Sequence, residues 1–331
     1  MKDFFNIIDS EEIKHVIHLG DLFDRRKYLN YMTAMRCRED FLEPLESRGI
    51  ETHILSGNHD QFYKNTHTVN SLQEIVGNRY PHIKIYTTPE LIDIDGCQIQ
   101  LLPWITDSNI KESYDAIENS RADILMGHLE LNGFEMFKGS ISDHGMSSDI
   151  FDRYHFVFSG HFHHKSTRGN INYLGAFAEF TWSDFNDPRG FHVFDTQSRH
   201  LQFYKNSNII FKMFLYDDEK DKNILETINN TDYSQYSNSY VKIVCANKTN
   251  PYAFDIMLDK LYEKKPIDIS IIDDGELYKE YGEEESIDVI ESTEVLLDTY
   301  IDNLTLPVNN DKMKTYMRKI YNEAVSMEFI G

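Results

Sequence analysis

Four short apolar runs in the chain end in the same way. His15-Val16-Ile17-His18-Leu19 leads into Gly20-Asp21, and Glu51–Leu55 leads into Ser56-Gly57-Asn58-His59-Asp60. Asp123–Met126 leads into Gly127-His128, and Phe156–Phe158 into Ser159-Gly160-His161-Phe162-His163. Each run has strand length and is closed by a glycine and a polar side chain. The closing residues offer a carboxylate, an amide oxygen and imidazoles, with no sulfur. That oxygen and nitrogen set suits Mn, Fe or Zn better than Ca or Mg. A carboxylate can bridge two cations, and two cations roughly 3.5–4 Å apart can clamp a phosphate. His161 and His163, two apart on a tight loop, can address different cations. Ligands of α/β sheets gather outside the carboxyl ends of strands, so the four ends are predicted to converge. Of the 14 histidines, His15, His18, His53, His67, His82, His144, His155, His164, His192 and His200 read as surface or core residues.

The elements that must position these residues alternate. Strand-like runs are separated by helical stretches such as Asn30 to Glu46, an α/β layered pattern. From Ile83 onward short strands dominate: Ile83–Tyr86, Gln98–Leu102, Ile171–Leu174, Phe191–Asp195 and Leu201–Tyr204. That favours a mixed sheet or a two-sheet sandwich over a purely doubly wound fold. A small α+β module follows, with strands at Ile209–Leu215, Tyr240–Cys245 and Ile267–Ile272 and a helix at Ala253–Glu263. Asp273 to Glu294 sets ten carboxylates against Lys279 alone, the signature of a solvated linker. Beyond it, Leu297, Tyr300, Ile301 and Leu304, then Met313, Tyr316, Met317, Ile320, Tyr321 and Ala324, recur at helical spacing.

The 331 residues suffice for a large core, and 40% hydrophobic with 27% charged is ordinary globular composition. Cys37, Cys97 and Cys245 lie far apart, which excludes a disulfide framework and a thiolate zinc site and fits a reducing, cytoplasmic setting. No apolar run approaches the roughly 20 residues of a membrane helix, and the acidic start MKDFFNIIDSEE is no signal peptide. The formal net charge is −22, so binding to a polyanion requires a local basic patch, bound cations or a basic partner. Arg25, Arg26, Lys27, Lys138, Lys165, Arg168 and Arg189 lie near the motifs and are candidates for such a rim, or scattered surface charges.

In order, GDLFDRR (20–26), GNHD (57–60), GH (127–128) and GHFH (160–163) resemble the signatures of the calcineurin-like metallophosphoesterases. More narrowly, GHLELNGFEMFKG (127–139), SGHFHHK (159–165) and NDPRGFHVFDT (186–196) are similar to the nuclease subunits of SbcC–SbcD and Mre-eleven–Rad-fifty complexes, with the T-even-like phage members closest in texture. The resemblance implies a sandwich of two mixed β-sheets flanked by helices over residues 1–206. It further implies a capping domain at 207–272, and an acidic linker with ATPase-binding helices at 273–331. Asp21 resembles the bridging carboxylate. Asn58, His128 and His161 resemble ligands of one metal, and His163 a ligand of the other. His59 resembles the catalytic histidine at the leaving group. Asp60 is read as orienting His59 or capping the next turn, and Asp24 as a weak substrate or supporting contact.

The function implied is Mn-dependent exo- and endonucleolytic hydrolysis of DNA by hydroxide held between two divalent metals. The chain has no GxxxxGK[ST] loop, so the ATP-driven step falls to an SbcC-like ABC ATPase partner. A homodimer, host cytoplasm and a role in recombination and repair complete the implied picture. Another phosphoesterase activity on the same fold, or a catalytically weak scaffold subunit, are the alternatives. One departure bears on them. The family opens with a strand ending in Asp-x-His, and none precedes Asp21; Asp9-Ser10-Glu11 is the nearest, in a helix-like stretch. The domain is therefore expected to be N-terminally truncated, with one metal set nearly complete and the other reduced to Asp21 and His163. Either the true start lies upstream, or the chain is shortened, or another segment supplies the ligands.

Overall fold

The computed structural model describes residues 1–137, 140–273, 301 and 310–326. Its described residues fall into two units: Met1–Phe137, Ile141–Phe180 and Asn186–Asn208 in the first, and Thr181–Phe185 with the residues from Ile209 onward in the second.

The first unit begins with helix α1 (Lys2–Ser10), which buries Phe5 and Ile8, and strand β1 (His15–His18). Helix α2 (Tyr31–Cys37) and helix α3 (Glu43–Ser47) follow, joined by a π turn over Arg38–Leu42. The sequence reads as one helix here, and Pro44 explains the difference. Its ring crowds the carbonyl four residues back, so the helix widens and the Glu43 amide donates to the Arg38 carbonyl. Strand β2 (Glu51–Leu55) comes next, then the hairpin β3 (Gln61–Tyr63) and β4 (Thr66–Asn70), helix α4 (Ser71–Ile75) and strand β5 (Ile83–Tyr86). Strands β1, β2 and β5 form a wholly parallel sheet in that order.

The larger sheet is built from β6 (Glu90–Ile94), β7 (Cys97–Leu102), β8 (Ile124–Gly127), β11 (Phe156–Ser159), β12 (Ser166–Arg168) and β13 (Ile171–Tyr173), in the order β12-β13-β11-β8-β7-β6. Helix α5 (Ile110–Asn119) and the short strands β9 (Glu135–Phe137) and β10 (Ser140–Ile141) lie between these in the chain. The four central strands are parallel and the two edges antiparallel. All four β8 residues are buried, as expected where both faces of a parallel sheet are covered. One core joins Leu102, Leu125, Leu129, Val157, Phe162 and Tyr173, and a second joins Leu55, Tyr86, Ile99, Leu101, Ile124 and Phe158. The hairpin β14 (Gly190–Phe194) and β15 (Leu201–Lys205) completes this unit.

The second unit carries β16 (Phe211–Asp217), α6 (Ile224–Asn230), β17 (Tyr240–Asn247), α7 (Pro251–Glu263) and β18 (Asp268–Asp273). Its sheet order is β16-β17-β18, all parallel, as helix-bearing crossovers between neighbouring strands demand. Val241, Ile243, Phe254, Met257 and Leu261 form its core. Helix α8 (Asn310–Ser326) matches the second expected C-terminal helix. The linker beyond Asp273 and the expected helix with Leu297, Tyr300 and Leu304 lie outside the described residues. Among the described residues no helix is long and apolar enough to cross a membrane.

Candidate metal centre

The carboxyl ends of β1, β2, β8 and β11 meet. The Leu19 carbonyl accepts from His128 Nδ1 at 2.6 Å, tying the β1 end to the β8 end. Asn58 Oδ1 lies 2.9 Å from His128 Nε2 and 2.9 Å from His161 Nδ1. Asp21 Oδ2 lies 3.2 Å from His128 Nε2. Asp21, His128 and His161 each place one ligand atom within 4.8 Å of the others.

The chemistry of this group is that of a cation site. A carbonyl only accepts, so His128 Nδ1 is a donor, and Nε2 is left facing two oxygens that are themselves acceptors. Two acceptors facing one ring nitrogen are reconciled only by a proton on Nε2 or by a cation. Burial opposes that proton, but the charge and hydrogen bond of Asp21 outweigh it and raise the His128 pKa. The same pairing, working against burial, holds the Asp21 carboxyl well below the usual range. His161 is kept neutral: burial, then the positive His128, lower it to about 3. Asp21 Oδ2, Asn58 Oδ1, His128 Nε2 and His161 Nδ1 can thus each offer a lone pair to one point. A divalent cation there satisfies all four at once, so the residues fit the metal that the donor set implies.

The loops approach as closely as they do because glycine closes each strand. A Cβ on Gly57 would fall 2.1 Å from Asp21 Oδ1. Gly20 has φ +98, and Asp21 and His161 themselves sit at φ +55 and +78. Such strained backbone costs of order 1–3 kcal/mol per residue and persists only where the surroundings impose it. Asp60 is part of what imposes it. This fully buried carboxylate accepts the amides of Asp21 (2.8 Å), Gly57 (2.9 Å) and Phe23 (3.3 Å). It therefore binds two loops together and does not orient His59, as the sequence reading allowed. Burial, then the Asp21 charge, push its carboxyl up to about 7.

His59 stands beside the group. Its amide donates to Asp21 Oδ1 at 2.7 Å, and its Nδ1 meets the Asp24 carbonyl at 2.5 Å. Nδ1 is therefore occupied, and Nε2 is the nitrogen left to act. Asp24 supports His59 through its backbone carbonyl. His163 is not brought into the group of mutually close ligand atoms; its ring lies 5.5 Å from Phe180. His164 bridges Asp187 Oδ2 (2.9 Å) and Glu135 Oε2 (3.3 Å). Asp187 in turn pairs with Arg189 at 3.0 Å. Arg189 is 4% exposed, which removes it from any surface rim. Lys138 lies outside the described residues.

Trp104 was not among the expected site residues. Its ring lies 5.0 Å from that of His161 and 5.9 Å from that of His128, an apolar wall beside both ligands. The Trp104 amide donates to the Ser56 carbonyl (2.8 Å), and its own carbonyl meets His67 Nε2 and Asn109 Nδ2, each at 3.0 Å. It too follows a strand end, that of β7, but this strand is closed by Pro103 and an aromatic ring in place of glycine and a polar group.

Comparison with known proteins gives the same picture. The calcineurin-like phosphoesterase signature matches residues 1–165. Exonuclease subunit 1 of Enterobacteria phage T4 is 32% identical over 311 residues, 93% of this chain and 87% of that protein. The SbcD component of the SbcCD nuclease of Staphylococcus epidermidis is 23% identical over 233 residues, 61% of this chain and 60% of that protein. With its motifs in family order, four donor atoms gathered at the strand ends and a near-full-length relative among the exonuclease subunits, the chain belongs to the calcineurin-like phosphoesterases.

Proposed function

We propose that the chain is a Mn-dependent DNA exo- and endonuclease, the catalytic subunit of a complex with an SbcC-like ABC ATPase. The observation that carries this reading is the convergence of Asp21, Asn58, His128 and His161 donor atoms beside His59. Asp21, Asn58, His128 and His161 would hold one Mn, and Asp21 with His163 would contribute to a second. Bound cations would supply Lewis acidity for the phosphoryl oxygens and lower the pKa of the attacking water. His59 Nε2, with Nδ1 held by the Asp24 carbonyl, delivers a proton to the departing sugar oxygen. Trp104 limits access of water to the ligand side of the pocket.

Both relatives are subunits by name, which supports a partner-dependent machine. In this reading residues 1–206 are the nuclease domain and 207–272 the cap, while 273–331 tether the ATPase. Tyr31 and Met32, exposed on α2, would serve a homodimer contact, and the assembly would work in the cytoplasm, of the host if phage-borne. Calorimetric titration with Mn, paired with cleavage of linear DNA, tests the core of the proposal. One tight Mn per chain, lost in His128→Ala, and DNA cleavage that appears only at Mn concentrations filling the weaker second site are expected. Tight Mn binding with hydrolysis of small phosphoesters but not DNA would point to another phosphoesterase. Tight binding with no hydrolysis would point to a scaffold role.

A further inference from the structure

The hairpin β3–β4 springs directly from the metal loop and presents two aromatic rings to solvent. Phe62 and Tyr63 are 38% and 50% exposed, and Val69 on the opposite strand is 41% exposed. Consecutive strand residues normally point to opposite faces. Here Gln61 pairs with Asn70 but Tyr63 pairs with Thr66, so the register shifts between them. Such a bulge re-aims side chains, and the Phe62 and Tyr63 rings lie edge to face with centroids 4.8 Å apart. Lys64, exposed in the turn, adds a cation at the tip.

The root of this hairpin is fixed. The Asp60 carboxylate holds the Asp21 and Gly57 amides, the Asp60 carbonyl accepts the Ser71 amide at 2.8 Å, and Gln61 Nε2 donates to the Gly57 carbonyl at 3.2 Å. Phe62 is four residues from Asn58, so even a fully extended chain keeps the two within about 14 Å. At about 3.4 Å per stacked nucleotide, that backbone span alone corresponds to roughly four nucleotides, and the side chains extend it. Two solvent-open rings beside a lysine, welded to a phosphodiesterase site, match what a splayed single strand requires: a π-face for the base and positive charge for the backbone.

The geometry points to Phe62 and Tyr63 as a stacking platform for an unpaired base of the substrate strand, a few nucleotides from the phosphate held at the metal centre. This rests on the nuclease reading above and names its substrate: a frayed or single-stranded segment, rather than a duplex held closed. The rings would act by specificity and positioning, not in the bond-breaking step.

The test is a cycle between protein and DNA, read at binding by fluorescence anisotropy on the full chain with Ca in place of Mn. Short labelled single strands carry either a normal base or an abasic residue at successive positions from one end. The wild-type protein should bind the base-bearing strand about tenfold more tightly than the abasic strand at one such position, in line with the usual strength of base–aromatic stacking. Phe62→Ala with Tyr63→Ala should erase that preference, and Phe62→Tyr with Tyr63→Phe should keep it. Equal binding of both strands by the wild type, the outcome if the rings serve a protein surface, overturns the proposal without any variant. So does a preference that survives the double alanine change. Cleavage by the Mn-loaded wild type is followed on the same strands. If the stacking preference is present and cleavage absent, the platform stands and the nuclease reading falls.

Discussion

Two aspartates, one in each unit, are both largely shielded from solvent and do opposite work. In the second unit, Asp218 is ringed by donors. It accepts the Thr249 amide and hydroxyl (2.9 Å each), the Asn250 amide (2.7 Å) and the Tyr216 hydroxyl (3.2 Å). Asn250 then caps α7 by accepting the Ala253 amide, with Pro251 opening the helix. Every lone pair in use meets a proton, and Asp218 is a fastener. In the first unit, Asp21 accepts one amide, that of His59, at Oδ1, while its Oδ2 meets only a His128 ring nitrogen that Asn58 Oδ1 also faces. Burial alone does not separate the two; the number of donors each carboxylate meets does. A carboxylate satisfied by four donors is structural, while one that shares a single ring nitrogen with a second oxygen keeps lone pairs for a cation.

Substitution should drive the two apart. Asp21→Ala should lower Mn-dependent phosphodiester hydrolysis by about 1,000-fold or more, since several kcal/mol of charge stabilisation are lost. The melting temperature in chelator should change little near neutral pH, because the loss of the His128 pairing is offset by relief of the charge that Asp21 sets against buried Asp60. Asp218→Ala should leave Mn affinity and turnover per folded molecule intact, yet destabilise the second unit by about 2 kcal/mol through the lost support of the α7 cap. Calorimetric melts and initial rates on both variants decide it, and a large melting loss in Asp21→Ala would break the contrast.

His59 sharpens the point within the first unit, because it touches Asp21 through its backbone while its side chain is directed elsewhere. His59→Ala should reduce turnover by about 100-fold or more, the range of proton-transfer catalysis, with metal content unchanged by atomic absorption. Metal lost together with activity would place His59 among the ligands.

The smallest expected effect is a proton count. The raised His128 pKa favours a proton on Nε2, and that proton must leave when Mn takes the lone pair. Binding should release protons, more of them as pH falls, and affinity should weaken by up to about tenfold per pH unit in acid. Titration calorimetry in buffers of different ionisation heat measures this. Stability without metal runs the other way for this residue. Its folded pKa is raised, so its contribution is complete below about pH 6.5 and is lost as pH rises through the higher folded value. The Asp21 carboxyl is lowered, so its contribution is present at neutral pH and lost only as pH falls into the acid range.

What the sequence made legible follows from locality. A strand, a glycine and a polar closer are neighbours in the chain, so the positions of Asp21, Asn58, His128 and His161 could be read from short windows, as could β2, β5 and α7. What escaped depends on partners far along the chain. The task of Asp60 is set by amides 37 and 39 residues away. The burial of Arg189 is tied to Asp187, itself held by His164 from another part of the chain. Strand β6 and the hairpin β3–β4 lack clean alternation, although the Asp95-Gly96 turn, with φ +53 and +81, is a hairpin signal between β6 and β7. The widened helix at Arg38–Leu42 has its only local signal in Pro44, which helical periodicity alone passes over.

The missing hydrogen-sized clearance at Gly57 changes how relatives should be surveyed. One methyl group at that position would occupy the space of Asp21 Oδ1, and Asp21 is already committed to strained backbone. A homologue could therefore retain every ligand and still be unable to assemble the pocket. Inventories that score such proteins as active by counting aspartates, asparagines and histidines would misfile it. The residue that carries no functional group is as diagnostic of a working phosphoesterase as those that do.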